Sequence, residues 1–145
     1  MSASPSVRPD GGPEYFDHDA DIGVLGRGAT VEEAFESAAQ ATFAIMADLT
    51  AVRPAQPVTV EFEEADVEIA LVRWLNALLA AAREHGLILC RFWIERDGVR
   101  WRGGAMGEPW HAGLERGVEV KGATLTMLSV ARADEGWTAR CVVDV

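Results

Sequence analysis

Hydrophobic and polar residues alternate along this chain with two different periods, and each period predicts one type of element. Apolar side chains recur at helical spacing over residues 30–47 and again over residues 66–84. The first segment opens with Thr30 and Glu33, the pattern of a capping box, and the second closes at Gly86, a common helix stop. The sequence therefore predicts two α-helices.

Strand patterns occupy most of the remaining chain. Residues 58–63 alternate apolar and polar side chains, as a half-buried strand does. Two β-rich runs, residues 87–95 and 99–105, are joined by Arg96-Asp97-Gly98, and an Asp-Gly pair favours a tight hairpin turn. The Gly- and Pro-rich composition after the hairpin predicts a loop over residues 103–117. Further strands are predicted at residues 14–17, 22–26, 119–132 and 137–145.

The order β, β, α, β, α and then four strands predicts an α+β fold and not a doubly wound parallel sheet. We expect a compact single domain with a mostly antiparallel β-sheet of about six to seven strands and two α-helices packed on it. A length of 145 residues suits one domain, and no repeat or long linker divides the chain. Residues 1–12 are predicted to be a disordered tail and residues 13–145 the domain.

The charge balance narrows the classes of partner. The chain has 23 acidic and 13 basic residues and a net charge of −10. Strong independent binding to nucleic acid or to an anionic membrane depends on basic patches, so this balance speaks against both. Residues 1–50 hold nine acidic and only two basic residues, which favours a protein partner or a cation.

The location is predicted from what the sequence lacks. Cys90 and Cys141 match neither a zinc-site spacing nor a disulfide framework. The first residues have no apolar core of a signal peptide, and no apolar run approaches the ~20 residues of a membrane span. We expect a cytoplasmic protein.

The densest group of polar residues lies in the first third of the chain, and its members are Asp17, His18, Asp19 and Asp21. Carboxylate oxygens suit Mg²⁺ or Ca²⁺, and a histidine suits Mn²⁺ or Zn²⁺. An EF-hand is excluded, because its sixth position would be Ile22 instead of glycine and its twelfth Gly28 instead of glutamate. The alternative is a solvated acidic turn in which aspartates cap backbone amides.

Two further residues, Asp144 and Lys121, could belong either to a functional site or to the ordinary protein surface. Asp144 lies in an apolar C-terminal strand, where a carboxylate must be paired, hydrated or metal-bound, unless the strand end frays into water. Lys121 is the only lysine beside twelve arginines. A compact ammonium can balance a carboxylate cluster or bind a phosphate, and the alternative is an ordinary surface lysine.

Seven segments in order resemble the motifs of one family. They are YFDHDADIG at residues 15–23, TVEEAF at 30–35, FAIMADL at 43–49, LVRWLN at 71–76, GEP at 107–109, EVK at 119–121 and the penultimate Asp144. Together they resemble the archease family over residues 13–145. The resemblance implies a compact α+β sandwich and a cytosolic protein cofactor of an RtcB-type RNA ligase. Archeases promote guanylylation of that ligase and its multiple turnover in tRNA splicing or RNA repair.

The resemblance also implies site residues. The family's metal-binding centre matches Asp21 and Asp144, and we expect the C-terminal carboxylate of Val145 to join them on a divalent cation, Ca²⁺, Mg²⁺ or Mn²⁺. The motif positions Asp17, His18, Asp19 and Lys121 are implied to support the metal ligands or to contact the partner. No catalytic residue is expected, since the protein would activate an enzyme instead of being one.

This chain departs from the family pattern at three places. Asp19 replaces the threonine of the first motif, the residues after Lys121 lack the family's tyrosine and histidine, and a histidine common shortly before the EVK segment has no counterpart there. Three alternatives stay open: a chaperone-like modulator of a tRNA-modifying methyltransferase, a stand-alone metal-dependent hydrolase and a purely structural adaptor.

Overall fold

The computed structural model describes residues 17–18 and 21–145, and the predicted α+β class is confirmed. The described elements, in chain order, are β1 Asp17–His18, β2 Asp21–Gly28, α1 Val31–Ala44, a short 3-10 helix Leu49–Ala51, β3 Gln56–Glu63, α2 Val67–His85, β4 Leu87–Asp97, β5 Arg100–Pro109, β6 Gly122–Ala123, β7 Ser129–Ala133 and β8 Gly136–Asp144.

The described strands form two antiparallel sheets instead of one. The first sheet has the order β1-β2-β8-β6, with β7 also paired to β8, and the second has the order β3-β5-β4. Both helices contact strands of both sheets. The C-terminal strand β8 is therefore central to the first sheet, which places the end of the chain beside β2.

Local sequence signals explain both helices. The Thr30 side chain accepts a hydrogen bond from the Glu33 amide at 3.1 Å, and a Glu33 carboxylate oxygen accepts one from the Ala29 amide at 2.8 Å. In α2 the Asp66 side chain caps the first turn, and Gly86 ends the helix in the left-handed conformation with φ 66°. The predicted helices are confirmed, although α1 ends at Ala44 and not at residue 47.

The core lies around these two helices and the strands that they contact. The Trp74 indole N–H donates a hydrogen bond to the Phe35 carbonyl at 2.9 Å, which ties α2 to α1 within the core. The ring of Phe35 stacks on that of Trp101, with centroids 5.1 Å apart. Trp74 and Trp101 are both fully buried, so their rings serve the packing of the core.

The predicted hairpin is confirmed, and the loop predicted over residues 103–117 is confirmed only from residue 110 onward. Strands β4 and β5 are joined at Gly98, with φ 63°, and β5 then continues to Pro109 through the first part of the predicted loop. The glycines there serve close packing. A Cβ at Gly103 would lie 2.6 Å from the Trp93 carbonyl oxygen and 2.7 Å from the Trp74 ring.

The predicted strand over residues 119–132 is interrupted. Within this segment only the short strands β6 and β7 pair with β8, and a tight turn lies between β6 and β7. In this turn the Thr124 amide and hydroxyl both donate to the Val142 carbonyl, and the Val142 amide donates to the Thr126 carbonyl. Met127 takes a positive φ of 53°, which a continuous strand does not allow. The predicted strand at residues 14–17 falls mostly outside the described residues.

Candidate functional site

Asp21 and Asp144 lie directly opposite each other in the first sheet. Asp21 is the first residue of β2, Asp144 is the last of β8, and the two are register partners. Directly opposite side chains share one face of a sheet, with Cβ atoms about 5 Å apart. Asp21 is half-buried and Asp144 is exposed. The chain thus brings together, across more than a hundred residues, the two carboxylates that the family resemblance singled out.

A row of four register positions crosses the sheet at this point. His18 of β1 pairs with Asp21, and Gly122 of β6 pairs with Asp144 on the other side. Asp17 pairs with Ile22 one step along the same strands. Asp19 lies outside the described residues. The row thus brings three motif positions, His18, Asp21 and Asp144, to one end of the first sheet.

Lys121 reaches the row through its backbone. Its amide donates a hydrogen bond to the Asp144 carbonyl at 2.7 Å, so the residue sits beside the acidic pair. Its side chain is exposed. Val145 follows Asp144 and packs partly against the hydrophobic core, so the C-terminus is held near the pair instead of fraying into water.

Two residues of α2 that the sequence did not single out hold this segment in place. The Asn76 side chain accepts a hydrogen bond from the Ala123 amide at 2.8 Å and donates one to the Ala123 carbonyl at 3.2 Å. The Arg83 guanidinium donates two bonds to the Lys121 carbonyl, at 3.2 and 3.0 Å. The sequence did contain a signal for Asn76, because asparagine is a poor helix former and here stands among the apolar residues of α2.

The donor set suits a hydrated hard cation. Two carboxylates at a sheet end would hold Mg²⁺ or Ca²⁺ together with waters, since Mg²⁺ in particular keeps several waters and needs only one or two carboxylates. Opposed like charges also destabilise a strand pair unless something neutralises them. Within the part of the chain that the structure describes, no group of three or more His, Cys, Asp or Glu side chains forms a metal-binding cluster. The metal centre stays a prediction.

Another carboxylate from the family motifs, Glu108, has a structural role. It is 4% exposed, and its Oε2 accepts a hydrogen bond from the Arg53 amide at 2.8 Å. Its Oε1 lies 3.3 Å from Nε2 of His111. The Arg53 amide is the main cause that lowers the pKa of Glu108, with His111 adding to it. Glu108 thus anchors the segment before β3 to the end of β5.

Burial has the opposite effect on Glu36 of α1. The carboxylate accepts a hydrogen bond from the Ile94 amide at 3.0 Å, but desolvation raises the pKa above its usual value. Burial also raises the pKa of the Cys141 thiol to about 12, so this residue is an inert core side chain.

No helix within the described residues is long and apolar enough to cross a membrane.

Together, the fold and the site define a small α+β protein of two antiparallel sheets that carries an acidic pair at the joined ends of its first and last long strands. The sequence model of the archease protein family (MTH1598/TM1083) matches residues 14–145. The chain belongs to this family.

Two relatives match most of the chain. The protein archease of Sulfolobus acidocaldarius is 35% identical over 135 residues, covering 91% of this chain and 97% of the relative. The protein archease of Thermococcus gammatolerans is 37% identical over 138 residues, with 91% and 97% covered. The likeness therefore spans nearly the whole length of each relative.

Two solved structures resemble the fold. The solution structure of protein 1598 from Methanobacterium thermoautotrophicum has a TM-score of 0.80 at 34% identity and covers 92% of this chain and 99% of its own. The crystal structure of an archease, possible chaperone, from Thermotoga maritima has a TM-score of 0.61 at 19% identity and covers 90% and 94%. The second likeness concerns the fold alone.

Proposed function

We propose that this protein is a cytoplasmic protein cofactor that activates an RtcB-type RNA ligase, and that its acidic pair holds a divalent cation for that purpose. Family membership supports the class of function. The observation that carries the site is the register pairing of Asp21 with Asp144, which brings two carboxylates to one face at one end of the sheet.

The chain's own residues would work as a holder for the ion. Asp21 and Asp144 supply hard oxygen ligands, the Val145 carboxylate adds a third, and Ca²⁺, Mg²⁺ and Mn²⁺ are the candidates. A bound cation would supply positive charge where the ligase handles the nucleotide phosphate. Asn76 and Arg83 fix the backbone of residues 121–123 against α2, so the pair is presented on a rigid frame. Asp17, His18, Asp19 and Lys121 would contact the partner or support the ligands.

In this role the protein is an activator and not an enzyme, and it need not bind RNA itself. The acidic net charge of −10 supports that division, because the ligase would supply the basic surface for RNA. The partner would meet the acidic sheet end.

A guanylylation time course tests the proposal. A cognate ligase is incubated with GTP and each divalent cation, with and without this protein, and the guanylylated ligase is counted over several turnovers. We expect stimulation by the wild type and loss of stimulation by Asp21→Asn and Asp144→Asn. Asp134→Asn, an acid in the β7–β8 turn away from the pair, is the matched control and should stimulate normally. Equal stimulation by all variants would contradict the role of the pair.

A chaperone-like role is the second candidate, which the resemblance to the family leaves open. A tRNA-modifying methyltransferase is then the client to test. Suppression of that enzyme's thermal aggregation, unchanged in Asp144→Asn, would favour this candidate over ligase activation. Metal-dependent turnover of phosphoesters by the isolated protein would instead point to a hydrolase.

A further inference from the structure

A cavity of about 430 Å³ opens beside the C-terminal end of α2 and is also lined by residues of the segment that leads to Lys121. We call it the α2 pocket. Its floor is apolar and comes from α2, the start of β4 and the segment that leads to Lys121; the floor residues are Leu79, Ala82, Leu87 and Val120. A volume of this size falls within the range of small-molecule sites, about 300–1,000 Å³.

Two arginines stand at the pocket. The Arg116 guanidinium carbon lies 4.0 Å from the centroid of the Trp110 ring, and both residues line the cavity. Contact through the flat face of a guanidinium leaves its N–H edge able to donate. Arg83 also lines the cavity, and its two hydrogen bonds to the Lys121 carbonyl fix its guanidinium group. Stacking and hydrogen bonding therefore hold both cations in place before any ligand arrives.

The local charge is opposite to that of the whole molecule. Glu119 is the only acidic residue among those that line the α2 pocket, against Arg83 and Arg116. The chain as a whole has a net charge of −10. Two arginines beside an apolar floor are a suitable receptor for a negative group attached to an apolar body, because a guanidinium pairs well with carboxylate and phosphate oxygens.

We propose that the α2 pocket binds a small organic anion that joins an apolar or planar body to one carboxylate, sulfonate or phosphate group. The body would lie on the floor, and the negative group would meet Arg116 and Arg83. The lining segment ends at Val120, and the next residue, Lys121, donates its amide to the Asp144 carbonyl, so the ligand would lie one short segment away from Asp144. This site is separate from the acidic pair, and its existence does not depend on the ligase proposal.

The test uses 8-anilinonaphthalene-1-sulfonate, a planar anion whose fluorescence rises in apolar sites, titrated into the folded full chain. We expect saturable binding with one site per chain. Decanoate and a nucleoside monophosphate are then added as competitors. Displacement by decanoate assigns the site to aliphatic carboxylates, and displacement by the nucleotide assigns it to planar phosphates. Displacement by neither, or equally well by inorganic phosphate alone, would overturn the proposal.

Variants at exposed positions locate the binding without endangering the fold. Val118 lines the pocket and is 51% exposed, so Val118→Glu and Val118→Lys change its charge at a surface position. We expect weaker dye binding in Val118→Glu and tighter binding in Val118→Lys. Arg116→Ala should weaken binding about tenfold, the effect of losing one charge-assisted hydrogen bond.

Two controls separate this site from other dye-binding surfaces. Arg132 also stands over a tryptophan, Trp137, with 5.6 Å from its guanidinium carbon to the ring centroid, and it does not line the α2 pocket. Arg132→Ala should leave dye binding unchanged, and so should Leu125→Ser, which removes an exposed apolar side chain elsewhere. Loss of binding in either control, or wild-type binding in both Val118→Glu and Arg116→Ala, would contradict the proposal.

Discussion

Asp21 and Asp144 are register partners at the joined ends of β2 and β8, so two carboxylates oppose each other where the first sheet begins. Like charges directly opposite destabilise a strand pair, by an amount on the order of 0.2–1 kcal/mol. A bound divalent cation would turn this repulsion into attraction. The stability of this corner should therefore depend on divalent cations.

The first prediction concerns Asp144→Asn. In EDTA this variant should be as stable as the wild type or slightly more stable, by up to about 1 kcal/mol, because the repulsion is gone. Added Mg²⁺, Ca²⁺ or Mn²⁺ should raise the melting temperature of the wild type and not that of the variant. Thermal unfolding followed by circular dichroism measures both effects. If the variant gained as much stability from the cation as the wild type does, the ion would bind elsewhere; Asp134→Asn should behave as wild type.

Asn76 gives the second prediction. Asn76→Ala removes two hydrogen bonds to the backbone of Ala123 and leaves partly buried polar groups without these partners. We expect a loss of about 1–3 kcal/mol in the free energy of unfolding, measured by urea denaturation. Hydrogen exchange at the Lys121 and Ala123 amides should also accelerate, because β6 would no longer be tied to α2.

Arg73→Ala on the same helix is the matched control for Asn76→Ala. Arg73 is exposed and pairs with Glu64 at 2.8 Å, and exposed ion pairs contribute only about 0.2–1 kcal/mol. A loss in Asn76→Ala no larger than in Arg73→Ala would show that the Asn76 contacts do not hold β6.

Sequence signals predicted the two helices well because those signals are local. Thr30 and Glu33 form their cap within four residues, and Gly86 supplies the left-handed stop at its own position. The hairpin at Gly98 is local in the same sense. Such features depend on neighbours in the chain, so a single sequence contains the information.

Features that depend on distant contacts were harder to predict. Gly103 and Gly107 indicate a loop by composition, yet they lie inside β5. Glycine is required at these positions because neighbouring atoms leave no room for a Cβ. The division into two sheets depends on β8 pairing with β2 at the other end of the chain. For the same reason the acidic pair could be anticipated only through resemblance to a family, since no spacing reveals that residues 21 and 144 are opposite.

Gly26 gives the third prediction, on how closely α1 packs against β2. A Cβ built on Gly26 would lie 2.8 Å from the Ala38 Cα, and the helix backbone cannot yield as a flexible side chain could. Gly26→Ala should therefore destabilise the protein by about 1–3 kcal/mol or more, the usual cost of overpacking. Urea denaturation measures the loss.

Gly113→Ala is the control for Gly26→Ala. Its Cβ would meet only the exposed His111 ring, at 3.0 Å, and that side chain can move. We expect a change of less than about 0.5 kcal/mol, as for most surface substitutions. If both variants lost the same free energy of unfolding, the close approach of α1 to β2 would not explain the need for glycine at position 26.

The fourth prediction compares two carboxylates whose pKa values are shifted in opposite directions. The Arg53 amide lowers the pKa of Glu108, so its carboxylate stabilises the fold above the unfolded pKa of about 4.3 and loses that effect as pH falls through the lower folded value. Burial raises the pKa of Glu36, so its protonated form favours the fold and that contribution is lost as pH rises through the raised value.

Glutamine substitutions should therefore act with opposite sign near neutral pH. At about pH 8, well above the usual pKa of a glutamate, Glu108→Gln should lower the melting temperature, because a neutral amide replaces a carboxylate that the fold favours. Glu36→Gln should leave it unchanged or raise it, since the amide oxygen can still accept from the Ile94 amide without the cost of a desolvated charge. Both differences should shrink as the pH falls from about 8 into the acidic range, because Glu36 then becomes protonated in the unfolded chain as well and the Glu108 carboxylate loses its stabilising effect as the pH passes through its lowered folded pKa. Melting curves across this range measure the effect, and shifts of the same sign in both variants at about pH 8 would show that these pKa directions do not govern stability.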